Sequence, residues 1–378
     1  MATAQPENKP QPENKPQPEN KPQPPGQTLR NRTMKHITCL IAALIVVFSA
    51  IPVMAQSFDF IQTNDGTKAH RGDIKGMTST EVTIAVNGVD RSVSVNTIVN
   101  LSYRDDPGEL RKARGDIKAG NFGSAMEKLR RIDIAAQRPV IKQDIQFFMA
   151  LCTAKMALAG NAEKGKAAGL MNNFKKVAPN SYHYYESVEV LGNLAAALGK
   201  FEAASKLYGN LRNAPWPAYK LRAHVLEGGT LLALEKYDDA RKRFDTVISA
   251  NVPGPVADRQ KMLAKLGNAV CLAASGNIKE GTQVAESVLS VADASDIELH
   301  ARAYNALGDC YRLSEKPKDA LLAYLHTDIL FNAQSDAHAE ALYHLVGLWD
   351  NVNKKDRSVQ ARSLLKSRYS DSIWAQRL

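Results

Sequence analysis

Gly192 and Ala204, Gly228 and Ala240, and Gly308 and Ala320 are three pairs in which a glycine within an apolar helical pattern is followed twelve residues later by an alanine. Apolar residues around these pairs recur at helical spacing, as Tyr304, Leu307 and Tyr311 do on one helix face. Twelve residues span the end of one helix, a turn and the start of the next. The offset therefore predicts antiparallel helix pairs, each setting a small residue of its first helix against a small residue of its second. One such pair cannot bury its apolar face alone. The constraint thus extends to the neighbouring sequence, which must supply more pairs to stack against it.

The stretch 301–331 reads Tyr304-x2-Leu307-Gly308-x2-Tyr311, then Ala320-x3-Tyr324. It resembles the tetratricopeptide repeat, with Tyr where that family usually has Trp. Second-helix marks of the same kind stand at Ala125-x3-Leu129, Ala167-x3-Met171, Ala204-x3-Tyr208, Ala240-x3-Phe244 and Ala361-x3-Leu365, with a blurred one between 279 and 285. Seven helical hairpins are expected. First-helix marks are Leu191-Gly192, Gly228, Leu266-Gly267 and Leu307-Gly308. The resemblance covers about 109–378, and it implies a mainly α solenoid, irregular because its units are longer than the family's.

Before residue 109 the chain changes character twice. Residues 1–33 repeat Gln-Pro-Glu-Asn-Lys-Pro three times, a composition that can neither pack nor form a helix. A second start at Met34 opens a signal-peptide pattern over 34–55: Lys35, an apolar run, and Val53-Met54-Ala55 before Gln56. An uncleaved anchor is the rival reading of that segment. Either way an exported protein, periplasmic or secreted, is expected. Residues 56–104 then alternate with period two around Phe60, Ile74, Val82, Ile84, Val93 and Ile98, with Asn87-Gly88 as a hairpin turn. Five short strands predict a small β-barrel module of SH3-like or Sm-like type.

The formal net charge is +10; taking away 1–55, with six Lys/Arg and three Glu, leaves +7. A basic surface suits acidic partners or anionic envelope polymers. Export argues against nucleic acid. Gly160, Gly165 and Lys166 approach a phosphate-binding loop, but Ala167 stands where Ser or Thr would hold magnesium. Arg71-Gly72-Asp73 and Arg114-Gly115-Asp116 match an adhesion tripeptide but fall in a predicted strand and a predicted helix. His338 and His344 are six apart, which places them on different helix sides and predicts no metal site. Cys152, Cys271 and Cys310 are expected to be buried in first helices, a Cys271–Cys310 bridge being the alternative. No cofactor and no catalytic constellation is expected.

The resemblance implies a concave groove lined by first helices, where family members hold peptides or protein domains. Counting the Leu-Gly pair as positions seven and eight, positions two, five, nine and twelve line that groove. They are Glu186, Glu189, Asn193 and Ala196 in the third unit, and Arg222, Val225, Gly229 and Leu232 in the fourth. The fifth gives Lys261, Ala264, Asn268 and Cys271, and the sixth Arg302, Asn305, Asp309 and Arg312. Members that clamp a terminal carboxylate carry Lys at five and Asn at nine. Asn193 and Asn268 match the Asn, but Glu189 and Ala264 replace the Lys, so the full clamp is absent. Expected partner contacts are Asn193, Arg222, Lys261, Asn268, Arg302, Asn305 and Arg312, the cations serving as anion contacts. The function expected is a noncatalytic exported adaptor for a protein or peptide. The alternatives are a regulatory subunit of an envelope enzyme and a binder of anionic polymer.

Overall fold

The computed structural model describes residues 58–378 apart from Lys68. The repeats at 1–33 and the leader-like segment at 34–55 lie outside the described residues. Among the described residues no helix is long and apolar enough to cross a membrane.

Five strands come first: β1 (Asp59–Thr63), β2 (His70–Met77), β3 (Glu81–Val86), β4 (Val89–Ser94) and β5 (Ile98–Ser102). All pairings are antiparallel, in the order β4-β3-β2-β1-β5. Asn87 and Gly88 both take positive φ, at 53° and 80°. A two-residue turn that follows strand twist needs this geometry. No pairing joins β4 to β5 among the described residues, so the expected closed barrel is instead an open sheet. The period-two pattern decides which face is covered. Ile61, Val82, Ile84, Val93 and Leu101 are buried, whereas Val89 and Val99 stay exposed.

Pro107 precedes the first of fifteen α-helices among the described residues. They are α1 (Gly108–Lys118), α2 (Phe122–Arg130), α3 (Pro139–Leu158), α4 (Lys164–Val177), α5 (Tyr184–Ala197), α6 (Phe201–Asn210), α7 (Pro217–Ala233), α8 (Tyr237–Ile248), α9 (Pro255–Ala274), α10 (Ile278–Val291), α11 (Ile297–Leu313), α12 (Pro317–Leu330), α13 (Ser335–Asn351), α14 (Lys355–Arg368) and the short α15 (Ile373–Gln376). The first fourteen form the seven expected hairpins. Each first helix ends on a residue with positive φ: Gly120, Gly160, Gly199, Glu235, Gly276, Glu315 and Asn353. That conformation stops a helix by turning its last carbonyls out of register. The fourth residue of every second helix is small and buried: Ala125, Ala167, Ala204, Ala240, Gly281, Ala320 and Ser358. Ala167, part of the near phosphate loop, is thus a packing residue.

The twelve-residue offset is real, but its packing partner is not the alanine. A Cβ on Gly192, Gly228 or Gly308 would lie 2.3, 2.5 or 2.6 Å from the ring of Tyr208, Phe244 or Tyr324 respectively. Each glycine makes room for the aromatic residue one turn beyond the alanine, sixteen residues on. The fifth unit keeps the offset in a different place. Gly281 lies against the carbonyl of Ala269, where a Cβ would approach to 2.5 Å, while Gly267 faces Phe244 of the preceding unit. Relative to a register set on Gly267, α9 is shifted by two residues, about 200° around its axis. In the seventh unit Ser358, one turn before the marked Ala361, fills the small-residue slot.

The sheet does not stand apart from the helices. Ile61, Val82, Ile84, Leu101 and Tyr103 belong to one apolar cluster with Leu110, Ala113, Ile145, Phe147 and Leu194. Polar links follow the same seam. Asp59, fully buried, accepts from the backbone N–H of Ile74 and Arg104, at 2.9 and 3.0 Å. Arg114 of the second adhesion-like tripeptide is paired with Asp106 and, at 2.7 Å, with Asp144 of α3. Arg71 and Asp73 lie in β2. The boundary near 104–109 therefore marks a change of secondary structure within a continuous core. Farther on, Trp216 Nε1 at the start of α7 donates to Ser94 Oγ at 2.9 Å.

The far end of the chain returns to the early units. The buried Lys164 of α4 pairs with Asp371. The carbonyl of Arg368 sits against Gly160, Ile373 against Gly199, and Arg377 Nη2 donates to the Ala233 carbonyl at 2.7 Å. Residues 368–378 thus clasp the turns of the second, third and fourth units, and the solenoid is held in a curl. Cys152, Cys271 and Cys310 are free and buried in first helices, so the Cys271–Cys310 bridge is not formed. Burial pushes all three thiols up to about 12.

Candidate functional site: the inner wall

Position five of one first helix meets position two of the next, and this rule organises the wall. At the junction of the third and fourth units Glu189 and Arg222 form a two-pronged ion pair. At the junction of the sixth and seventh, Asn305 Nδ2 donates to Glu340 Oε2 at 2.7 Å and to the Ala337 carbonyl at 2.9 Å. Between them the pairs continue. Arg259 holds Asp296 at 2.6 Å and Glu298 at 2.9 Å, and Arg302 reaches Glu298 at 3.2 Å and Asp336 at 3.6 Å. Arg312 contacts Asp309 at 3.1 Å, and Tyr324 donates its hydroxyl to the same carboxylate at 2.8 Å. Asn193 Oδ1 accepts from Tyr208 at 2.9 Å.

Electrostatics along this wall is uneven. Burial works against the charge of Glu298, yet Arg302 and Arg259 outweigh it and hold the carboxyl at about 2. Glu340 goes the other way: burial first, then the neighbouring Asp309, push it up to about 8. Burial also lowers His344 to about 4. The network of Glu189, Arg222, Arg259, Asp296, Glu298, Arg302, Asp309, Arg312, Asp336 and Glu340 sets four guanidinium groups against six carboxyl groups. The wall is acidic in a protein whose overall charge is basic.

Five of the seven predicted contacts lie on this wall: Arg222, Arg302 and Arg312 within the charged network, and Asn193 and Asn305 in the hydrogen bonds beside it. Each of the three arginines already has a carboxylate partner, so none is an idle anion contact. Lys261 and Asn268 do not lie on the wall. Lys261 Nζ donates to the carbonyl of Val252 in the turn after α8, and Asn268 Nδ2 to Asp245 of α8, both at 3.2 Å. The two-residue shift of α9 turns them toward the preceding second helix. The wall positions of that unit become Leu263, Leu266, Val270 and Ala273, all buried. The carboxylates of Glu298, Asp336 and Glu340 carry no mark in the sequence pattern, because the seventh unit has no Leu-Gly pair and Glu298 and Asp336 stand in the first turns of their helices.

Two wall positions face open space. A Cβ added at Gly229 or Gly347 would meet no atom within 4 Å. His338 is buried between Asp328 and the Tyr369 hydroxyl, each at 2.8 Å, while His344 stacks on Tyr324. The two histidines share no ligand geometry, and among the described residues no group of three His, Cys, Asp or Glu is placed to hold a metal ion.

No family model matches this chain, and no curated protein matches it. Solved structures do. The apo form of RapI aligns at TM-score 0.50 with 12% identity, covering 71% of this chain and 96% of that one. A Rap protein complexed with competence and sporulation factor gives 0.48 and 14%, covering 70% and 76%. A tetratricopeptide repeat protein from Parabacteroides merdae gives 0.47 and 17%, covering 69% and 91%. The seven stacked hairpins, together with the RapI alignment, show the fold: a tetratricopeptide-like helical solenoid.

Proposed function

We propose that the inner wall binds a segment of another protein, reversibly and without a chemical step, and that the protein works as an exported adaptor. The observation that carries this reading is the run of ordered polar pairs along the inner wall, Glu189 with Arg222, Arg259 with Asp296 and Arg302 with Asp336, with open space at the wall positions Gly229 and Gly347. Preformed polar groups lose little freedom when a ligand replaces their water, and this favours recognition by a rigid surface. The leader-like pattern at 34–55 supports export.

A photoreactive residue at position 229 tests the proposal. Crosslinking in the envelope fraction is expected to yield a discrete adduct from position 229. The same residue at position 322, exposed on α12, is expected to yield none. Equal labelling from both positions, or labelling from 322 alone, would refute the wall as the binding surface. Adducts that vanish at high salt would favour polymer binding over a groove-bound segment.

A further inference from the structure

The two junctions described above are equivalent in the fold but not in chemistry. At the first, the carboxylate of Glu189 is met by a guanidinium. At the second, the carboxylate of Glu340 is met only by a neutral amide. Asn305 is itself 2% exposed, and its Oδ1 has no hydrogen-bond donor. A buried amide oxygen without a donor is uncommon, and beside a carboxylate it marks a place where a donor is missing. Around Glu340 stand Arg302, Asn305 and Asp309 from α11, Tyr324 from α12, and Asp336 and His344 from α13. Arg302 is shared with Glu298 and Asp336, Arg312 is taken by Asp309, and His344 is held neutral at ordinary pH. The group therefore has more carboxylates than cations.

We propose that the junction of the sixth and seventh units is the subsite for a lysine or arginine side chain of the bound segment, whose cation completes Glu340 and Asp336 as Arg222 completes Glu189. This rests on the wall being the binding surface and adds the chemistry of what it binds. The charge runs opposite to the protein's overall basic character, so the selectivity is local. Glu340, pushed up to about 8 when the subsite is empty, is mostly protonated at pH 7.5. A cation beside it favours the ionised form, so binding releases a proton.

Calorimetric titration with hexalysine and, separately, hexaglutamate tests this at pH 7.5 in phosphate and in Tris. Hexalysine is expected to bind, with heats that differ between the buffers by the release of up to about three-quarters of a proton. Hexaglutamate is expected not to bind. Glu340→Gln, which keeps the side-chain shape, should abolish the proton release and weaken hexalysine about tenfold or more. Asn305→Lys, which supplies the missing cation from within, should do the same. If that variant fails to fold by circular dichroism, Glu340→Gln alone carries the test. Buffer-independent heats, hexalysine affinity unchanged in Glu340→Gln, or equal binding of hexaglutamate would overturn the subsite. If hexalysine does not bind while position 229 still crosslinks a partner, the subsite fails and the wall stands. If both fail, the wall falls with it.

Discussion

Gly160 tests whether the C-terminal clasp holds the curl. Its φ is +83°, and a Cβ there would lie 1.8 Å from the carbonyl oxygen of Arg368. Gly160→Ala therefore carries two costs. The left-handed backbone costs an alanine about 1–2 kcal/mol. The clash cannot be relieved by a side-chain rotation, because the obstructing atom is backbone. Residues 368–378 must move, and overpacking of this kind costs about 1–3 kcal/mol more. Gly120 and Gly276 supply the controls. They end first helices at φ +78° and +91°, yet a Cβ on either meets nothing within 4 Å. Gly120→Ala and Gly276→Ala should lose only the backbone part. Urea unfolding gives the three stabilities, and hydrogen exchange gives the location. Gly160→Ala should speed exchange across 368–378, including around the Lys164–Asp371 pair, whereas the controls should leave that segment protected. Three equal destabilisations, with no change in exchange at the C-terminus, would show that the clasp is not held against Gly160 in solution.

Three further outcomes follow from named contacts. Gly228→Ala and Gly267→Ala each drive a methyl into the ring of Phe244, at 2.5 and 2.2 Å, and should each cost about 1–3 kcal/mol in urea melts. Phe244→Leu should recover part of either loss, and no recovery would count against the shared contact. Glu235 and Glu315 hold φ of 57° and 55° where glycine fits best; Glu235→Gly should raise stability by about 0.5–1 kcal/mol, since relief of strain exceeds the added chain entropy. For pH, Glu340 has a folded value above its ordinary one. Its contribution is therefore full below about 4.5 and is lost as pH rises through about 8. Native protein should lose more melting temperature between pH 5 and 8 than Glu340→Gln, and parallel curves would refute the assignment.

Much of the fold was legible because it rests on periodicity and on small residues. Seven hairpins, the strand segment and the tight turn at Asn87-Gly88 all follow from spacing. The open sheet did not, because five alternating strands read the same whether or not their edges meet. Nor did the clasp. Asp371 and Lys164 are 207 residues apart, and nothing in their spacing pairs them. The packing partners of the glycines were misread for a related reason: an offset fixes which residues recur, not which atoms touch. Tyr208, Phe244 and Tyr324 were visible in the pattern, yet nothing in a string of letters says that a ring, and not the alanine methyl before it, lies over the glycine.

The site shows the same limit more sharply. Lys261 and Asn268 were placed on the wall by counting from Gly267, and the count is sound for a helix of ordinary length. But α9 runs 20 residues against 17 for α7 and α11. The extra length lets Ala269, not Gly267, meet the second helix, and two residues are enough to turn a face half-way round. The sign of the charge is hidden for a different reason. Arg222, Arg302 and Arg312 are cations at wall positions, and counting them alone gives a surface for anions. Position five of one unit meets position two of the next, however, so the sign of the wall belongs to junctions and not to residues. Read by junction, Glu189 has its cation in Arg222, whereas Glu340 has only the amide of Asn305. The carboxyl group without a cation of its own is Glu340, so a segment bound to this wall gains most from a positive charge placed there, where Glu340 can ionise against it.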